Sequence, residues 1–97
     1  MLRSELASTY RLLKRSFPNG IDEGDLVSLF ALLYQEGEMS IRTITQVAAE
    51  WQNRPAVDFL PLVDRAISVD LASDTTAHRL REILNQSGYQ EWLAEEC

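Results

Sequence analysis

Between Leu26 and Tyr34 the chain reads Leu-Val-Ser-Leu-Phe-Ala-Leu-Leu-Tyr, and only Ser28 interrupts the apolar run. At about 100° per residue these side chains cover most of a helix circumference instead of the usual single stripe. A helix of this kind must be covered on several sides, or part of it must meet another molecule. Asp22 stands where an N-cap is expected, Asp25 lies near the positive dipole end, and Gly37 occupies the C′ position. The remaining segments have to supply the cover.

Their patterning fits that task. From Ser4 to Phe17, Leu2, Leu6, Tyr10, Leu13 and Phe17 recur at helical spacing, with Arg3, Arg11, Lys14 and Arg15 on a neighbouring face. Pro18-Asn19-Gly20 ends this first helix. Ser40 caps a third helix, Ile41 to Asn53, whose inward stripe is Ile41, Ile44, Val47, Ala48 and Trp51, and Arg54-Pro55 stops it. Asp58 caps a fourth, Phe59 to about Leu71, with Pro61 in its first turn. Ser73 or Asp74 caps a fifth, which turns Ala77, Leu80, Ile83 and Leu84 inward and ends at Gly88. Tyr89, Trp92 and Leu93 predict a short final turn or helix folding back on the core, with Glu91, Glu95 and Glu96 outside. No segment alternates as a half-buried strand does.

An offset of 33 residues aligns Asp25 with Asp58, Leu29 with Leu62, Ser40 with Ser73 and Thr43 with Thr76. Each unit reads as cap, helix, turn, cap, helix, the pattern of an αα-hairpin. The 97 residues suffice for one core and not for two domains of ordinary size. The expected fold is all-α: one domain over residues 1–97, a compact orthogonal bundle of about five helices, made of two αα-hairpins plus an N-terminal helix.

The run Phe17-Pro18-Asn19-Gly20-Ile21, followed by Asp25 and by Leu29, Ala31, Leu32 and Leu33, resembles a domain-of-unknown-function family of small all-helical proteins known from mycobacteria and other actinobacteria. That family shows an aromatic-Pro-x-Gly turn, a following aspartate and a Leu-x-Ala-Leu-Leu core helix. Val47-Ala48-Ala49-Glu50 and the pair Gly88-Tyr89 extend the likeness, which spans roughly residues 6–92. The chain departs from the pattern at Tyr89, where the family usually has Trp-Pro, and in its longer acidic tail. The resemblance implies paired antiparallel helices packed crosswise. It implies no activity, and no catalytic residue is carried over.

Reactive constellations do not assemble from the remaining letters. Cys97 is lone and terminal, so no disulfide closes within the chain and a reducing compartment suits it. His78, the one histidine, reads as a solvated helix residue that can pair with Glu82 at i+4. Asp22-Glu23-Gly24-Asp25 looks like a fragment of a calcium loop but lacks the alternating ligands and closing glutamate. The glycines form no phosphate-binding loop. The expectation is no enzyme, no catalytic residue, no cofactor, no metal and no small-molecule substrate.

Charge narrows the partners. The chain carries −6 overall, yet in residues 1–17 four cations face Glu5 alone, a balance of +3 that leaves −9 on the remainder. A net acidic chain repels phosphate backbones, which disfavours nucleic acid. Polarity between the halves suits a protein partner or self-association. Arg11, Lys14, Arg15, Tyr34, Tyr89 and Trp92 are the candidate interaction surface, the basic residues by charge and the aromatic ones as interface anchors, with the filling of a small core an equal reading of the aromatics. No run approaches a membrane span, and Met1-Leu2-Arg3-Ser4-Glu5 lacks the start of a signal peptide, so the cytoplasm is expected. The expected function is a non-enzymatic protein–protein interaction module. The alternative is a DNA-binding regulator of helix-turn-helix type, in which Arg42, Thr43, Thr45 and Gln46 on the third helix would meet base edges.

Overall fold

The chain's stop signals partition it into six helices among the described residues, which are residues 4–95 of this computed structural model. The expectations for Leu2, Arg3, Glu96 and Cys97, and for the side chains of Glu5 and Glu95, lie outside those residues. Helix α1 spans Ser4–Ser16. Pro18 forbids its continuation, and Gly20, at φ 88°, reverses the chain while its N–H bonds to the Phe17 carbonyl at 3.0 Å. No strand occurs among the described residues, and none of their helices is long and apolar enough to cross a membrane.

Helix α2, Glu23–Gln35, is the centre. Leu26 and the whole run from Ser28 to Leu33 are buried, so its apolar circumference is spent on internal packing. Helices α4, Leu60–Ala66, and α5, Thr75–Gln86, cover it most extensively, and α3, Ile41–Gln52, touches it less. Helix α1 in turn packs mainly on α3. Phe30 meets Phe59 edge-on at 6.1 Å beneath α4, and Phe17 meets Trp51 at 5.9 Å where α1 lies on α3. Each fully buried Leu or Phe contributes roughly 1.5–3 kcal/mol relative to exposure.

Three boundaries differ from the sequence pattern, each for a physical reason. First, Gly37 follows α2 as expected, but the left-handed residue is Glu38, at φ 55°. Gly37 is required for space instead: a Cβ there would stand 2.6 Å from Trp92 Cη2 and 2.8 Å from the Leu33 carbonyl oxygen. Second, Asp58 does not cap the fourth helix. It lies in a 3₁₀ turn, Ala56–Phe59, and its carboxylate faces Arg54 at 3.5 Å. Third, α4 ends at Ala66 and not near Leu71. The Gln35 amide donates to the Val69 carbonyl at 2.8 Å, and the Asp70 carboxylate accepts from the Ala72 N–H and the Ser73 hydroxyl. The Asp70 bonds are local and offer the backbone an alternative to the helix ladder, while the Gln35 bond reaches in from α2.

The expected caps of α3 and α5 form. Ser40 Oγ accepts from the Thr43 N–H at 3.2 Å, and Asn53 closes α3 in the left-handed region. Asp74 Oδ1 accepts from the N–H groups of Thr76 and Ala77, while its Oδ2 takes the hydroxyl of buried Ser28 at 2.7 Å. Ile41, expected to face inward, is the first residue of α3 and is 37% exposed. The 33-residue likeness does not extend to packing. Ser40 caps, whereas its counterpart Ser73 leaves capping to Asp74, and α5 folds back onto α2 and not onto α4.

Gly37→Ala should destabilise the fold by about 1–3 kcal/mol through overpacking against Trp92 and the Leu33 carbonyl. Urea denaturation followed by circular dichroism measures it, and an unchanged midpoint would show that the contact yields freely.

Candidate interaction surfaces

The short last helix, α6, Tyr89–Glu95, begins after Gly88, whose φ of 99° sets the entry angle. Its two aromatics read from the sequence equally as interface anchors or as filling for a small core. Both are core residues: Tyr89 is 0% and Trp92 2% exposed. Their rings stack 5.8 Å apart with planes 14° apart. The Trp92 indole N–H donates to Thr9 Oγ1 on α1 at 3.0 Å, and the Tyr89 hydroxyl donates to Glu36 Oε1 at 2.8 Å. Arg81 grips the same carboxylate with two bonds, at 2.7 and 3.3 Å. A small domain needs these rings to finish its core, so they are not available to a partner. Burial, then the bond to Glu36 and its negative charge, push the Tyr89 phenol well above its ordinary value near 10. The bond to Glu36, partly offset by desolvation, holds the Arg81 guanidinium more firmly protonated.

Tyr34 is half-buried and packs against the same core. The basic residues of α1 behave differently from one another. Arg15 donates from Nε and Nη2 to the Ser87 carbonyl at 3.1 and 3.0 Å, satisfying an orphan acceptor at the end of α5. The Lys14 ammonium sits 5.8 Å over the Tyr10 ring. Arg11 is exposed and lines a shallow cavity of about 220 Å³ with Ser8, Arg15, Gly88, Glu91 and Trp92. Glu91 in that cavity opposes an anionic ligand.

The acid-rich start of α2 is committed to arginines. Glu23 binds Arg54 at 3.1 Å and Asp25 binds Arg79 at 2.8 Å, the latter beside an open cavity of about 360 Å³ floored by Phe17, Ile21, Leu80 and Ile83. Among the described residues no group of three or more His, Cys, Asp or Glu side chains could hold a metal ion. His78 turns its Nε2 to the Leu71 carbonyl at 2.9 Å, not to Glu82. On α3, Thr45 is buried with its hydroxyl donated to the Arg42 carbonyl, and the Thr43 hydroxyl pairs with Ser40. Arg42 and Gln46 alone of the four base-reading candidates stand exposed.

A surface not picked out from the sequence appears at the 3₁₀ turn and the start of α4. Val57 is 65% and Leu60 46% exposed, and Pro55, Ala56 and Pro61 beside them are also exposed. The inner face of the same segment buries Phe59, Val63 and Ala66. Arg54 borders the patch, stacked 5.1 Å over the Phe59 ring and bonded to Glu23 and Asp58. Contiguous exposed apolar side chains rimmed by charge mark interaction sites. Val57 and Leu60 stand an apolar pair at i+3 in the sequence, but nothing local says which face of the segment turns outward. A helix starting at Phe59 left Val57 in a loop.

No model of a known protein family, no curated protein and no solved structure matches the chain.

The Tyr89 phenol titrates higher in the folded chain than in the unfolded one. Its contribution is therefore intact below pH about 10 and is lost as pH rises above that value. Tyr89→Phe should cost about 0.5–1.5 kcal/mol at neutral pH and should flatten the decline above pH about 10. Denaturant titrations across that range check both, and parallel alkaline profiles for the two proteins would contradict the assignment.

Proposed function

We propose that the chain is a non-enzymatic helical module of the cytoplasm that binds protein through the outer face of its 3₁₀ turn and α4. The exposure of Val57 and Leu60 carries this reading. The helical segment that contains them already buries its other face, so these side chains add nothing to the core where they stand. The reading includes an orthogonal crossing of the helices and kinship with the actinobacterial helical family, which adds a fold and no chemistry. Polar groups that would be expected to converge in a catalytic cleft are instead bonded across helix contacts, as at Glu36, Arg81 and Tyr89.

Magnitudes limit the strength of binding. Covering the exposed parts of Val57 and Leu60, 65% and 46% of each, gains about 1–2 kcal/mol apiece, at or below the low end of the roughly 4–15 kcal/mol that association costs. The partner must therefore add apolar side chains of its own and pair the rim charges, and the complex is weak and reversible.

A photo-reactive benzophenone side chain placed at Val57 should trap discrete protein adducts in the cells that make the chain. The same group at exposed Glu50 on α3 should not. Equal patterns, or no adduct from position 57, would remove the proposal. The DNA-binding alternative retains Arg42 and Gln46, and absence of any mobility shift on mixed-sequence duplex at low salt would retire it.

A further inference from the structure

Helices α5 and α6 are separated by Ser87 and Gly88 alone, and these two residues decide where α6 goes. Were they helical as well, a single straight helix would run from Thr75 to Glu95. Gly88 prevents this. At φ 99° it holds a backbone conformation that other residues resist, and it turns α6 back onto its own core. In a straight helix the Ser87 carbonyl would accept from the Glu91 N–H. At the corner it accepts two bonds from Arg15 on α1 instead. A Cβ at position 88 would meet nothing closer than Arg15 Nη2 at 3.5 Å, so the glycine serves the backbone and not a lack of space.

Straightening the corner would pull Tyr89 and Trp92 out of the seam between α1 and the end of α2. A straight helix would set Trp92 roughly 80° and Tyr89 roughly 140° around the axis from buried Leu84. The stripe that seats α5 on α2 could not seat them as well. The vacated seam is specific. It offers Thr9 Oγ1 to an indole, Glu36 Oε1 to a phenol, and the space beside Gly37 to a ring edge. The element that fits it is α6, and a second copy of the chain brings another. Exchanging α6 between two copies restores every one of these contacts, so only the corner and the loss of free movement on association separate the two arrangements. We propose that α6 is an exchangeable strap hinged at Gly88, and that the chain has a second state, a dimer in which each α6 closes the seam of the other copy. This dimer leaves the α4 face uncovered and is independent of the protein-binding reading above.

The purified full chain, refolded at millimolar concentration, should yield a dimer beside the monomer. That dimer should part slowly on dilution, because each α6 must leave its seat first. Gly88→Ala favours the straight corner, since alanine resists positive φ and is the best helix former. By sedimentation equilibrium it should tighten dimerisation about tenfold or more. Gly88→Asn, which tolerates positive φ, should stay closer to the native chain. In dimers assembled from labelled and unlabelled chains, isotope-filtered nuclear Overhauser contacts should join Trp92 of one copy to Thr9 of the other. A dimer in which those contacts stay within one chain overturns the proposal. So does a folded monomer of Gly88→Ala, or a Gly88→Asn chain that dimerises as tightly as Gly88→Ala. A native chain with no dimer after refolding at millimolar concentration overturns it too, including where Gly88→Ala fails to fold.

Discussion

The structure depends on hiding a helix that is apolar nearly all the way round. An ordinary surface helix needs one neighbour, because its polar face can stay in water. Helix α2 has no such face between Leu26 and Leu33, with even Ser28 buried. Its neighbours must come from distant parts of the chain, and they do: α4 and α5 take most of the surface. Because each covering helix spends a single stripe on this task, their outer faces are left for water or for other molecules. The exposed side of α4 is a by-product of that division of labour.

Enclosing α2 also forces polar groups inside, and each is matched to a partner far along the chain. Ser28 on α2 meets Asp74 at the start of α5, Thr9 on α1 meets Trp92 on α6, and Glu36 after α2 meets both Arg81 and Tyr89. Among the described residues no buried side-chain nitrogen or oxygen lacks a partner. A single such bond contributes only about 0.5–1.5 kcal/mol, whereas leaving one half unmatched costs about 1–3 kcal/mol. The pairs therefore act mostly against wrong arrangements. Apolar packing makes the bundle compact, and these contacts fix which helix lies where.

Helix positions were legible in the sequence because their signals are local. Pro18, Ser40, Pro55 and Asp74 start or stop helices through bonds and sterics within a few residues, and the structure places them accordingly. Contacts that depend on distant residues were not legible. Tyr89 and Trp92 read equally as surface anchors or core filling until Thr9 and Glu36 are seen to receive their polar atoms. Gly37 reads as a left-handed cap until Trp92 is seen to need its space. Helix α4 was overextended because its pattern runs on to Leu71, while the bond that ends it comes from Gln35. The apolar surface around Val57 was missed for the same reason. Its exposure follows from where α4 lies on α2, and no window of sequence contains that.

The bond between Trp92 and Thr9 joins residues 83 positions apart. Helix α1 is thus completed by α6, the helix farthest from it along the described residues. Until α6 arrives, the hydroxyl of Thr9 and the carboxylate of Glu36 face an unfilled seam lined by Leu33 and Gly37. Final closure of this seam waits on the docking of α6, whatever the order in which the earlier helices form.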